Sequence, residues 1–343
     1  MKKLLNTLYI NNTDYYLSLE GEDIVINISD NNYKKLPLHN FEMICTCGYN
    51  GISPKLMGAC VEKNITICYF DEHGKFLARV TGEKYGNVIL RKEQCLVSEN
   101  KERSLEISKN FIIGKVHNSR WQIERWTRDY EMRINVAKFK SISKSMYDIL
   151  KSIDKCDDID VLRGLEGKAA DLYFSLFDDF ILQQKDDFKF VNRNRRPPLD
   201  NVNALLSFSY SLLTAMCVSA LEMVGLDPYI GFMHADRPGR KSLALDLVEE
   251  LRSVYADRFV LTLINKKLIT NNDFIKMEDG AVLLKDDSRK EFFVHWQKKK
   301  MEEITHPFLE EKIEWGMVPY VQALLLVRYL RGDLEMYPTF LWK

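Results

Sequence analysis

At 343 residues, with 46% apolar and 29% charged side chains, the chain has the balance of a soluble globular protein with room for two domains, or one large domain and an appendage. Its 49 basic and 49 acidic residues cancel, which excludes a polycation that coats nucleic acid and leaves only a local patch for such contact. Seven scattered cysteines without a C-x-x-C point to reduced thiols and a cytoplasmic setting, and against a disulfide framework or a cysteine zinc site.

The N-terminal MKKLLNTLYINNTDYY has only a brief apolar run and no small-residue cleavage site, so no secretory signal is expected. In YYLSLEGEDIVINI, Leu17 and Leu19 alternate with polar positions, EGED can turn, and Ile24, Ile26 and Ile28 alternate again; this reads as a hairpin. NITICYFDEHGKFLARV reads as a second hairpin, turning at Asp71 to Gly74. Between them, Ser53 as N-cap and Pro54 at the first helical position predict a short helix in SPKLMGACVEKN. From about Lys92 onward strand alternation gives way to helical periodicity, broken clearly at RNRRPPLDN, where two prolines cannot continue a helix. The apolar stretch from 204 to 225 has the length of a membrane span, but its serines, threonine and Glu222 favour a buried core helix and no membrane. The fold class is α+β.

On the helix DVLRGLEGKAADLYFSLFDDF, Leu162, Leu165, Ala169, Ala170, Tyr173, Leu176 and Phe177 form one apolar arc, and Glu166 falls near its middle. An ionised carboxylate there needs a cation, a set of donors or a proton. Gly164 and Gly167 flank it, each costing about 1 kcal/mol relative to alanine inside a helix. Such violations concentrate at functional sites. The competing reading is a helix edge where Glu166 reaches solvent or a lysine.

In GFMHADRPGRKSLALDLVEELR, a helix beginning near Ser242 puts Ala244, Leu247, Val248 and Leu251 on one face. Ser242, Asp246, Glu249 and Ser253 lie opposite, so the two acids at i and i+3 can reach one point. By itself this pattern describes a solvated face, and the lone His234 a hydrogen-bonded core histidine. Together, Glu166, His234 and Asp246 or Glu249 offer oxygen and imidazole donors suited to Mg²⁺ or Mn²⁺. Arg240, Lys241, Arg193, Arg195 and Arg196 stand nearby in sequence as candidate phosphate contacts. From Arg91 to Met146, thirteen Lys or Arg against seven Asp or Glu are interleaved with Trp121, Trp126 and Tyr130. Basic and aromatic residues together suit a phosphate backbone and unpaired bases, and a solvated bundle laced with i,i+4 ion pairs fits equally well.

Three segments, LRGLEGKAADLYF, RRPPLDNVNALLSFSYSLL and GFMHADRPGRKSLALDLVEELR, in this order behind a small β domain, resemble the CRISPR-associated endonuclease and integrase family that acquires new spacers. The likeness extends over essentially the whole chain. It implies a small β-sandwich-like domain over residues 1–88 used in homodimerisation, a linker over 89–98, and a larger all-helical catalytic domain over 99–343. It also implies a metal-dependent enzyme that joins the 3′-hydroxyl ends of spacer precursor DNA into CRISPR repeat DNA by transesterification. The family's metal ligands match Glu166, His234 and Glu249, with Asp246 the neighbouring acid; the division of labour between the two acids stays open. Asn203 and Tyr210 fall in a motif that lies close to the site in the family. The expected partners are a second copy of the chain and the small protein Cas2. Two other readings remain: a helical metal-dependent phosphohydrolase acting on nucleotides, which usually needs more than six histidines, and a non-catalytic DNA-binding scaffold, which leaves Glu166 unexplained.

Overall fold

The structure, a computed structural model, describes residues 6–10, 14–29, 32–47, 51–63, 65–70, 76–80 and 88–342. Its first part holds two four-stranded sheets. One is ordered β1 (Asn6–Ile10), β5 (Phe41–Cys47), β7 (Thr66–Phe70), β8 (Phe76–Val80); the first two pairings are parallel and the last antiparallel. The other is ordered β4 (Asn32–Pro37), β3 (Asp23–Ser29), β2 (Tyr16–Glu20), β6 (Gly51–Ile52). Both expected hairpins form: Leu17 pairs with Ile26 and Leu19 with Ile24 across β2 and β3, and β7 pairs with β8. The turn at Asp71 to Gly74 lies outside the described residues. Helix α1 (Pro54–Glu62) begins as its sequence predicts, with the Ser53 hydroxyl accepting from the Leu56 amide.

Period-two alternation explains how this part is joined to the rest. Ile44 and Ile67 point into a core shared with Leu17, Ile24, Ile26, Leu56 and Cys60, which makes the two sheets a sandwich. Their neighbours Met43, Cys45 and Cys68 point the other way, into the core of the helical part. The first sheet is therefore buried on both faces.

The remainder is helical apart from two short ribbons, β9 (Phe274–Lys276) with β10 (Val282–Leu284), and β11 (Glu303–Thr305) with β12 (Lys312–Glu314). These ribbons qualify the all-helical expectation. Residues 89–98, expected as a linker, lie within a helix, α2 (Val88–Glu99), which packs on α3 (Lys101–Asp129). Buried Gln94 of α2 donates to the carbonyls of Asp227 and Ile230 and accepts from the Asp227 amide, clamping the loop that leads to His234. Helices α4 (Val136–Asp154) and α5 (Ile159–Phe174) pack on α3 and on each other. Helix α6 (Asn201–Met223) starts after the proline break, capped by Asp200. It is the one helix among the described residues long and apolar enough to cross a membrane, and 67% of its apolar window is buried inside the protein. It packs against α7 (Ser242–Leu251) and α8 (Val318–Leu330), as a core helix does.

The aromatic half of the basic-aromatic reading is not what the fold shows. Trp126 is buried against Tyr130 and Phe180, and Trp121 and Tyr130 pack on the core. Part of the basic half is spent in ion pairs within the segment, Arg120 to Glu124 at 3.3 Å, Arg125 to Asp129 at 3.2 Å and Arg103 to Glu93 at 2.8 Å.

Candidate active site

Glu166 of α5 is flanked by a helix face that nothing crowds: a Cβ on Gly164 or Gly167 would meet no atom within 4 Å. Packing therefore does not account for the two glycines. Glu166 is half-buried and its partner is a lysine, as the competing reading had it: Lys115 of α3, whose ammonium donates to Glu166 Oε1. The same ammonium lies 2.8 Å from Oε2 of Glu249 on α7. Glu249 Oε1 accepts from Arg252 at 2.5 Å. Glu249 Oε2 is buried and accepts no hydrogen bond, because the Lys115 contact is close without being aligned. Burial works against ionisation of Glu249, but Arg252 and then Lys115 outweigh it and hold its carboxyl at about 2.

The polar arc of α7 is not solvated. Ser242, Asp246, Glu249 and Ser253 are all buried, as is the helix's apolar face. Asp246 Oδ2 accepts from the amides of Phe232 at 2.8 Å and Met233 at 3.1 Å. Its Oδ1 accepts from the His234 amide at 3.0 Å and lies 2.5 Å from His234 Nδ1. A carboxylate acceptor here places the proton on Nδ1 and leaves the Nε2 lone pair uncommitted. Gly231 permits this arrangement, since a Cβ there would meet Asp246 Oδ2 at 3.0 Å and Ser242 Cβ at 2.6 Å. The His234 segment is tied to its neighbours by Arg163 of α5, which donates to the Met233 carbonyl at 2.8 Å, and by Ser104 of α3, which donates to the Phe232 carbonyl at 3.0 Å. Thus the structure joins Glu166 and Glu249 through Lys115, and seats His234 on Asp246, three residues before Glu249 on α7. Among the described residues, however, no three His, Cys, Asp or Glu side chains form a ready-made metal cage; Lys115 bridges the two glutamates.

Residues Arg252–Asp257 continue α7 as a π-helical turn, a local rewinding common at functional sites. It turns Arg252 back onto Glu249 and presents Asp257 to Tyr210, whose hydroxyl donates to Asp257 Oδ1 at 2.5 Å. The guanidinium groups of Arg252 and Arg193 lie 5.0 and 5.2 Å from the Tyr210 ring centroid. Asn203 is a loop organiser: it accepts from Arg193 and the Asn194 amide and donates to the Asn192 carbonyl and Asp200.

The candidate phosphate contacts divide. Arg195 and Arg196 are exposed and Arg240 is half-buried. Arg193 is committed to Asn203 at 2.7 Å and Ser207 at 3.0 Å. Lys241 is half-buried near Arg79, Cys68 and Glu222, where burial and the Arg79 charge push its ammonium down. It belongs to the junction between sheet and helices, where Arg79 of β8 donates to Glu222 of α6. Two residues of the cluster, Lys115 and Arg252, are absent from the sequence reading. The signal for Lys115 was present: it continues the apolar row Ile107, Phe111 of α3, the same kind of misplaced charge that marked Glu166. Arg252 is placed by a π-helical turn that side-chain periodicity does not announce.

A β-sandwich fused to a helical body, with Lys115 of α3 bridging a glutamate of α5 and one of α7, defines an α+β protein with a charged centre in its helical part. The family described as CRISPR associated protein Cas1 matches residues 8–298, and the chain belongs to that family. It is 43% identical over 343 residues to the CRISPR-associated endonuclease Cas1 1 of Chlorobaculum tepidum, with all of both chains covered. It is 47% identical over 347 residues to the CRISPR-associated endonuclease Cas1 2 of Rhodospirillum rubrum, again with full coverage of both. The fold is shared with a casposase bound to integration product, at a TM-score of 0.84, 23% identity and 98% and 94% coverage of this chain and that one. It is also shared with a Cas6-RT-Cas1–Cas2 complex, at a TM-score of 0.79 and 19% identity, covering 98% of this chain and 36% of that one.

Proposed function

We propose that this chain is a metal-dependent DNA endonuclease and integrase of CRISPR adaptation, which joins the 3′-hydroxyl ends of short spacer precursors into the repeat array by transesterification. The observation that carries this reading is the convergence of Glu166 and Glu249, from two different helices, on one shared cation position. Family membership and the endonuclease names of full-length relatives support it.

The residues fit Mg²⁺ or Mn²⁺. The donors are hard oxygens and an imidazole, one buried oxygen of Glu249 accepts no hydrogen bond, and the Lys115 ammonium already sits between the two glutamates. Glu166, His234 and Glu249 would hold the ion, which when bound would polarise a phosphodiester oxygen and stabilise the charge of the transition state. In this reading Asp246 is a positioning residue, its two oxygens committed to the His234 segment, and Glu249 is the ligand. The Nε2 lone pair of His234 serves as a ligand, or alternatively carries the proton that the attacking hydroxyl loses. The attacking 3′-oxygen forms a bond to phosphorus as another 3′-oxygen leaves and takes up a proton. One phosphodiester replaces another, so no ATP is required.

Exposed Arg195 and Arg196, with Arg240, contact DNA phosphates in this reading. The chain acts as a homodimer through its β domain and with Cas2, a partner named in the complex that shares its fold.

The test is strand transfer from a duplex with free 3′-hydroxyls into a supercoiled target, with Mn²⁺ or Mg²⁺ and the partner protein. Glu166→Ala and His234→Ala are each expected to abolish joining while DNA binding persists. Undiminished joining by both variants would overturn the site.

A further inference from the structure

Lys115 is the only charged side chain among the buried residues of α3. It sits in a closely balanced cluster: Lys115 contacts both Glu166 and Glu249, and Arg252 takes the remaining oxygen of Glu249. Two carboxylates face two cations. A divalent ion shared by Glu166 and Glu249 would meet the Lys115 ammonium at close range, in a buried setting where like charges repel more strongly than in water. The two cannot occupy that position together. A lysine, unlike a backbone donor or a capping arginine fixed by several bonds, is a point charge on a flexible stem that can withdraw.

We infer that Lys115 is a built-in counter-cation, which holds Glu166 and Glu249 together in the metal-free protein and is displaced when the divalent ion binds. The inference rests on the proposed metal site and adds to it a competitor supplied by the chain itself. It accounts for the lack of a ready-made cage among the described residues, since the glutamates close around an ammonium until an ion replaces it. It also gives Lys115 a second use: once released, its three N–H donors are free for a phosphate oxygen of incoming DNA. Ion loading and lysine release are then one exchange.

Three full-length proteins test this by Mn²⁺ titration followed by electron paramagnetic resonance. Lys115→Met is expected to bind Mn²⁺ about tenfold tighter than wild type, or more, because the competitor is gone. Lys115→Arg, which keeps the charge, is expected to bind no tighter than wild type. Lys115→Met should also melt at a lower temperature without metal and gain more from added Mn²⁺ than wild type does. Affinity equal to or weaker than wild type in Lys115→Met overturns the inference. Should that variant fail to fold, amine acylation of the wild-type protein read by mass spectrometry decides: Mg²⁺ is expected to speed labelling of Lys115, and an unchanged rate overturns the exchange. Wild-type protein that binds no Mn²⁺ at all would instead refute the metal site on which the inference rests.

Discussion

Glu249 and Glu250 are consecutive residues of α7, both buried, and their carboxylates are answered in opposite ways. Glu249 faces cations, Lys115 and Arg252, and keeps one oxygen without a hydrogen bond. Glu250 faces neutral donors: Tyr337, Thr339 at 2.8 Å, Gln322 at 3.1 Å and the Phe340 amide at 2.7 Å. Burial pushes the Glu250 carboxyl up, and those hydrogen bonds only partly oppose it. The difference teaches that a buried acid alone does not mark a site. Glu250 is a saturated anchor for the C-terminal segment, whereas Glu249 is charge-balanced but geometrically unfinished, which is the condition a metal ion can complete.

The sharpest way to break this contrast is to remove each acid. Glu249→Gln is expected to lower strand transfer by about 10²–10³-fold, with the fold retained. Glu250→Ala is expected to cost about 3–5 kcal/mol in chemical denaturation, from the cavity and four stranded donors. Below its lowered melting temperature it should join DNA within a few-fold of wild type. Matching losses of activity in both variants would erase the distinction.

A smaller effect follows from pH. Burial raises the Asp257 carboxyl from its usual 3.8 to about 6, despite its bond from Tyr210 and the Arg252 charge. Its folded value lies above its unfolded one, so its stabilising contribution is present below about pH 4 and is lost as pH rises through 6. Asp257→Asn should therefore flatten the stability profile between about pH 4 and pH 6, by at most about 3 kcal/mol. Glu249 has the opposite sign: with a folded value of about 2, its contribution is present above its ordinary 4.5 and is lost as pH falls towards 2. Urea denaturation across this range reads both. An unchanged slope in Asp257→Asn would show that Asp257 is ionised in the fold throughout.

Much of this was legible in the residues. Strand alternation gave both hairpins, Ser53 and Pro54 marked α1, and the double proline marked the start of α6. Glu166 announced itself as a charge beside an apolar arc, and its partner is a lysine, the outcome the competing reading allowed. Periodicity failed on α7, because it separates two faces without saying what covers each one; the polar arc is buried by the 231–234 loop and by α3. It also failed to distinguish Arg193, spent inside the loop on Asn203, from exposed Arg195 two residues later. Those outcomes depend on tertiary neighbours that a local pattern does not contain.

The most direct measurement of the central claim is anomalous scattering from crystals of the protein grown with Mn²⁺. One peak is expected, bonded to Glu166, Glu249 and His234 Nε2, with Asp246 still on Nδ1 and Lys115 withdrawn from between the glutamates. A peak on Asp246, or Lys115 still bridging Glu166 and Glu249 at saturating Mn²⁺, would contradict the account.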